Sequence, residues 1–192
     1  MMGDLLGDSS VKGNMVSGGT EANLIAMFLA KKISEDKNIR EPEIVLPISA
    51  HYSFDKAAAL MGLKLKKARL IENYQVDMEH YRSLVSPNTI AMVGVAGTTS
   101  LGLIDPIREM GKLAKNYNLF FHVDGAFGGL VLPFLDELGH ELPPYGLEVP
   151  EVCSYTVDPH KFGMGINPSG GILIRDSTLS DHGFIIPYLA GG

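Results

Sequence analysis

Short apolar runs alternate along the chain with segments whose apolar residues recur every three or four positions. The short runs predict strands at 44–48, 67–71, 90–95, 119–123, 154–157 and 171–175. Several are almost wholly apolar, as expected of strands covered on both faces. The longer segments predict helices at 21–34, 54–61, 78–84 and 106–116. In the last of these, Asp105 is placed to cap, Pro106 suits the first helical position, and Ile107, Met110, Leu113 and Tyr117 follow at helical spacing. Strand–helix alternation predicts an α/β fold with a mostly parallel sheet. The stretch 138–152, rich in proline and glycine, reads as a loop.

Ligands in such sheets sit beyond the carboxyl ends of the strands, and the unusual polar residues gather there. His51 follows the first strong run, "AGTTSLG" the run at 90–95, Asp124 the run "LFFHV", and "DPHK" the run "SYTV". Ahead of them, "SGGTEAN" at 17–23 is a glycine turn feeding a helix, with Thr20 placed to cap it. Backbone N–H groups and the positive helix end would converge there on a phosphate. A plain capped turn has the same appearance, and no Gly-Lys-Ser/Thr follows to make it a nucleotide P-loop.

Each remaining candidate also has an ordinary reading. Asp124 can cap or face solvent, or can sit at a site floor and keep a pyridine nitrogen protonated. That second role suits pyridoxal phosphate, which works as an electron sink. Ala126 and the glycines after it leave room for a flat ring. His51 can be a packed or surface histidine, or can stack on the ring face opposite Ala126. Thr98 and Thr99 can close a turn or donate to a cofactor oxygen. Lys161 can be a solvated turn lysine, or the amine that bonds the cofactor aldehyde, with His160 beside it and Asp158 orienting it or serving the turn before Pro159.

Composition narrows the partners. The 192 residues carry a formal net charge of −6 and are 45 % hydrophobic and 20 % charged, which is ordinary for one globular domain and argues against nucleic acid or an anionic membrane as partner. The one cysteine, Cys153, permits no internal disulfide and fits a reducing compartment. No apolar run reaches the roughly 18 residues of a membrane span, and the first residues do not form a signal peptide. A cytoplasmic location follows as an expectation, and no metal-ligand set is predicted.

In that order and spacing, "SGGTEAN", "HYSFDKAA", "GTTSLGLIDPI", "FHVDGAFGG" and "DPHKFGM" resemble the group II pyridoxal-phosphate-dependent amino-acid decarboxylases. The resemblance is strongest to the archaeal L-tyrosine/L-aspartate decarboxylase family and runs from about Gly13 to Asp176. It implies the large domain of fold type I enzymes, a pyridoxal 5'-phosphate cofactor and a small amino-acid substrate. It implies that Lys161 bonds the cofactor, Asp124 pairs with the pyridine nitrogen and His51 stacks on the ring. Gly19 and Thr20 would lie at the phosphate, Thr98 near the phenolate side, and His160 beside Lys161 as a phosphate ligand or proton donor. Ser154 is a further cofactor-side residue in this reading. Members run to about twice this length, act as dimers and carry a small C-terminal domain. The expectation is therefore that residues 1–192 form a cofactor-binding core, cut short at both ends, of an aspartate or tyrosine decarboxylase, with glutamate as a third substrate. The alternatives are a carbon–carbon lyase resembling sphingosine-phosphate lyase, which shares "SGGTE", "FDKAA" and "HVD" elements, and an inactive cofactor-binding fragment.

Overall fold

The computed structural model describes residues 1–175; the end of the resembling stretch, Asp176, lies outside them. In chain order the elements are α1 (Met2–Leu5), β1 (Lys12–Val16), α2 (Gly19–Ile33), a 3-10 turn (Glu35–Lys37), β2 (Glu43–Pro47), α3 (Ser53–Met61), β3 (Lys64–Ala68), α4 (Met78–Ser83), β4 (Thr89–Val95), α5 (Ile107–Asn116), β5 (Phe120–Asp124), α6 (Leu132–Glu137), β6 (Ser154–Val157) and β7 (Gly170–Ile174).

The strands form one sheet in the order β1-β7-β6-β5-β4-β2-β3. From β6 through β3 all neighbours are parallel; β7 runs antiparallel to both β6 and β1. The expected α/β fold is therefore present, with one reversed strand next to one edge. Strands β2, β4, β5, β6 and β7 are buried along their whole length. Ala22, Ala26, Met27 and Ala30 of α2 and Phe54 and Ala57 of α3 cover one face with Ile44, Leu46, Val93 and Ile172. Tyr81 of α4, Ile107 and Met110 of α5 and Leu132 of α6 cover the other with Val45, Met92, Phe121 and Tyr155. Burying apolar side chains on both faces is the main favourable term in such a three-layer fold.

Several boundaries differ from expectation. The edge strand β3 spans Lys64–Ala68, three residues earlier than predicted. Leu63 and Leu65 face the core there, while Lys64 and Lys66 turn outward to pair with Glu41 and Glu43. Strand β1 was not predicted because four of its five residues are exposed and its pattern is not apolar. Helix α6 precedes the 138–152 loop and was also not predicted.

Both expected side-chain caps are absent. Helix α5 begins at Ile107, and Pro106 is its N-cap rather than its first helical residue. The Asp105 carboxylate instead accepts the Val95 N–H at 2.8 Å, while the Asp105 N–H donates to the Val95 carbonyl at 2.9 Å. This clasp satisfies backbone groups at the end of β4 that would otherwise be buried unpaired. Helix α2 starts at Gly19 with Gly18 as N-cap, so Thr20 lies inside the first turn and caps nothing. Glu21 stabilises that turn: its carboxylate accepts the Ser17 N–H at 2.7 Å and the Ser17 hydroxyl at 2.6 Å.

Candidate active site

A cavity of about 340 Å³ opens at the carboxyl ends of the parallel strands, within the range usual for small ligands. Its walls come from five places in the sequence. The turn 17–19 and the start of α2 form one side. Ser49 and His51, after β2, form a second; Gly97 and Thr99, after β4, a third. Asp124 and Ala126, at the end of β5, form the floor, and Asp158, His160 and Lys161, after β6, close the remaining side. Predicted residues from four separated places in the sequence — Gly19, His51, Asp124 and the pair His160 and Lys161 — thus line one space, together with Thr20 and Ala126.

The glycine turn is placed by close packing. A side chain at Gly170, the first residue of β7, would overlap the Gly18 backbone, so β7 holds the turn directly. Asp158 then ties the turn to the lysine side. Its Oδ2 accepts the Gly19 N–H at 2.9 Å and lies 3.2 Å from the Lys161 Nζ. The same oxygen lies 3.6 Å from His160 Nε2. His160 is fixed from behind, because its Nδ1 accepts the Ser169 N–H at 2.9 Å. Its proton therefore sits on Nε2, the nitrogen on the Asp158 side.

Asp124 is 5 % exposed. Burial pushes its carboxyl above the usual carboxylate range. The Ala126 N–H, the Asn23 amide and the charges of Lys161 and His51 pull the other way. His51 lines the cavity beside Tyr52, its Nδ1 accepting the Ser53 N–H at 3.2 Å.

Two predicted residues lie off the cavity. The wall after β4 is formed by Gly97 and Thr99, whereas Thr98 is buried with its hydroxyl accepting the Leu103 N–H at 3.1 Å. Ser154 is buried beneath the floor, 2.8 Å from His122 Nδ1. Conversely, Asn23, Ser49 and Ser17 line the cavity without having been singled out, and His122 lies directly behind it. Among the described residues no group of three or more His, Cys, Asp or Glu side chains could hold a metal ion, and no helix is long and apolar enough to cross a membrane.

A mostly parallel sheet with a lysine, a buried aspartate and a glycine turn converging at its carboxyl edge is the large-domain architecture of fold type I pyridoxal-phosphate proteins. The chain belongs to the pyridoxal-dependent decarboxylase family: the model of that conserved domain matches residues 1–190. It is 47 % identical over 190 residues to the probable L-tyrosine/L-aspartate decarboxylase of Methanothermobacter thermautotrophicus, covering 98 % of this chain and 52 % of that protein. It is 46 % identical over 193 residues to the L-aspartate/L-glutamate decarboxylase of Pyrococcus horikoshii, covering 100 % of this chain and 50 % of that protein. The chain therefore spans about half the length of these relatives. Among solved structures, the sphingosine-1-phosphate lyase of Burkholderia pseudomallei matches with a TM-score of 0.88 and 33 % identity, over 95 % of this chain and 44 % of that one. The glutamate decarboxylase of Lactobacillus brevis matches in fold with a TM-score of 0.84 at 22 % identity, over 99 % of this chain and 47 % of that one.

Proposed function

We propose that this chain carries the cofactor-binding core of a pyridoxal-phosphate-dependent decarboxylase acting on an L-amino acid, with aspartate or tyrosine favoured and glutamate the third candidate. The observation that carries the reading is the convergence of Lys161, Asp124 and the 17–19 turn on one cavity. The residues fit the cofactor. Ser49 Oγ and Asp158 Oδ1, on two walls of that cavity, are buried oxygens without a hydrogen-bond partner among the described residues. Such atoms are costly unless a bound group meets them.

In this reading Lys161 supplies the amine that holds the aldehyde, and Asp124 balances a protonated pyridine nitrogen. The glycine turn and the first turn of α2, Thr20 included, take the phosphate. His51 and Ala126 bound the slot for a flat ring. When bound, the cofactor supplies the sink for the electron pair left as carbon dioxide departs. The α-carbon must then regain a proton, and Lys161 and His160 are the proton-bearing groups at that wall. Asp158 orients Lys161 for this task by its 3.2 Å contact. The protein's share is orientation and electrostatics in a partly enclosed site. The working form is proposed to be a cytoplasmic homodimer.

The test starts from the purified chain with added pyridoxal phosphate. A yellow absorbance that borohydride bleaches, with the label mapped to Lys161, is the expected result. Lys161→Ala should lose both. A label on another lysine, or an unchanged spectrum in Lys161→Ala, refutes the assignment. Amine release from aspartate, tyrosine and glutamate, measured beside a full-length relative, then tests the reaction. Cleavage of a phosphorylated long-chain amino alcohol would favour the carbon–carbon lyase reading, which the likeness to sphingosine-1-phosphate lyase motivates. Cofactor binding without either activity would favour a cofactor-binding fragment.

A further inference from the structure

Behind the cavity floor lies a buried polar cluster that none of the proposed steps uses. It follows from register. His122 pairs with Ser154 and Asp124 with Thr156 across β5 and β6, so alternate residues place all four side chains on the sheet face that α2 covers. Asn23 of α2 drops into their midst. It is 1 % exposed, and His122, Ser154 and Thr156 are fully buried.

We propose that Asn23 is a positioning residue, held in one orientation by Thr156, His122 and Ser154, which keeps Asp124 aimed and ionised for the pyridine nitrogen. The inference rests on the cofactor reading above.

Every hydrogen-bonding valence of the Asn23 amide is used. Its Nδ2 donates to Asp124 Oδ2 at 2.8 Å and to Ser53 Oγ at 3.0 Å. Its Oδ1 accepts from Thr156 Oγ1 at 2.8 Å and faces His122 Nε2 at 3.0 Å. A primary amide has two donors and two acceptor sites, so none is left over. Reversing the amide would aim its oxygen at the ionised Asp124 carboxylate, which has no proton to give. That contact sets the orientation while Asp124 is ionised, and it asks His122 to carry its proton on Nε2. It can, because Nδ1 then accepts from Ser154 Oγ at 2.8 Å. Burial keeps the ring neutral, pushing its titration down to about 3.

The consequence falls on Asp124. Its Oδ1 accepts the Ala126 N–H at 3.0 Å and its Oδ2 the Asn23 amide. These are the two hydrogen bonds that oppose the burial favouring the neutral acid. The charged groups facing Asp124 are Lys161, after β6, and His51, before α3. His122, on β5 itself, stays neutral. Without Asn23 the carboxyl loses one of two donors and the group that sets its angle. A neutral or rotated acid cannot balance a pyridinium.

The experiment uses pyridoxal phosphate labelled with ¹⁵N in the ring, bound to the 192-residue chain. Two readouts are taken: the ring-nitrogen chemical shift between pH 6 and 8, and the dissociation constant from absorbance. In the parent chain the nitrogen should stay protonated across this window. Asn23→Leu, close in volume but unable to hydrogen-bond, should move its titration into the window and weaken binding by about tenfold, as expected for one lost charge-assisted hydrogen bond. Thr156→Val should give a shift of the same sign and smaller size. If Asn23→Leu binds the cofactor with a nitrogen protonated throughout, Asn23 is only structural and the inference fails while the cofactor reading stands. If the parent chain forms no adduct at Lys161, both fail together. If Asn23→Leu does not fold, Thr156→Val decides: an unchanged nitrogen titration overturns the proposal.

Discussion

Replacing Asp105 with Asn tests the clasp at the end of β4, and its magnitude can be worked from the structure. Asp105 is 3 % exposed, and burial raises its carboxyl from 3.8 to about 7, with the Val95 N–H only partly opposing the shift. A group raised in the folded state contributes fully below its unfolded value, and that contribution is lost as the pH rises through the folded value. Ionised Asp105 therefore destabilises the fold by on the order of 4 kcal/mol above pH 8, of which roughly 2.5 kcal/mol develops between pH 5 and pH 8. Asn keeps an oxygen for the Val95 N–H and has no charge to bury. The stability difference between Asp105→Asn and the parent should thus move by about 2.5 kcal/mol in favour of Asn over that interval, as measured by urea unfolding followed by circular dichroism. The difference is the quantity to follow. His122, lowered to about 3 by burial, makes the parent more stable as the pH rises toward 6.5, which masks Asp105 in the parent's own profile. A difference that does not vary with pH would refute the argument.

Two further substitutions probe the frame of the site. Gly170→Ala would push a methyl into the Gly18 backbone; it should cost about 1–3 kcal/mol by overpacking and weaken pyridoxal-phosphate binding more than it lowers stability, read by absorbance titration and thermal melting. Tyr81→Phe removes a buried hydroxyl that donates toward the Val93 and Val45 carbonyls at 2.8 and 3.1 Å and accepts the Val93 N–H at 3.1 Å; a loss of about 1–3 kcal/mol in urea unfolding is expected, with cofactor affinity unchanged.

Much of this arrangement is legible in the sequence because the site follows the strands. Apolar runs mark β2, β4, β5 and β6, and the polar residue after each run is brought to the sheet's carboxyl edge. That rule alone finds His51, Asp124, His160 and Lys161. It fails for β1, four of whose five residues are exposed, so that only pairing with β7 makes "KGNMV" a strand. It fails for Asp105 and Thr20 as caps because local preference cannot say which orphan backbone group a carboxylate or hydroxyl will meet. Asn23 and His122 are hidden for a different reason: their meaning depends on register across β5, β6 and α2. A sign was nonetheless there. His122, Ser154 and Thr156 are polar residues at alternating positions of otherwise apolar buried strands, where polar groups persist only with partners. The place of Asp158 beside Lys161 is legible from the motif, but its link to Gly19 is hidden in the same way, because it spans 139 residues of sequence.

The reversed strand β7 sets the order in which this site can come into being. The glycine turn hangs from β1, and the only strand that β1 pairs with among the described residues is β7. Lysine, aspartate and histidine can all be present on a growing polypeptide while the glycine-turn side of the pocket still has no seat. Only when residues 170–174 have been made and threaded between β1 and β6 does the turn come to rest beside Lys161. Long-range closures of this kind are slow compared with local helix formation. Acquisition of the cofactor would then register that this part of the chain has been completed and folded, so capture of pyridoxal phosphate by ribosome-bound chains should begin only after β7 has emerged.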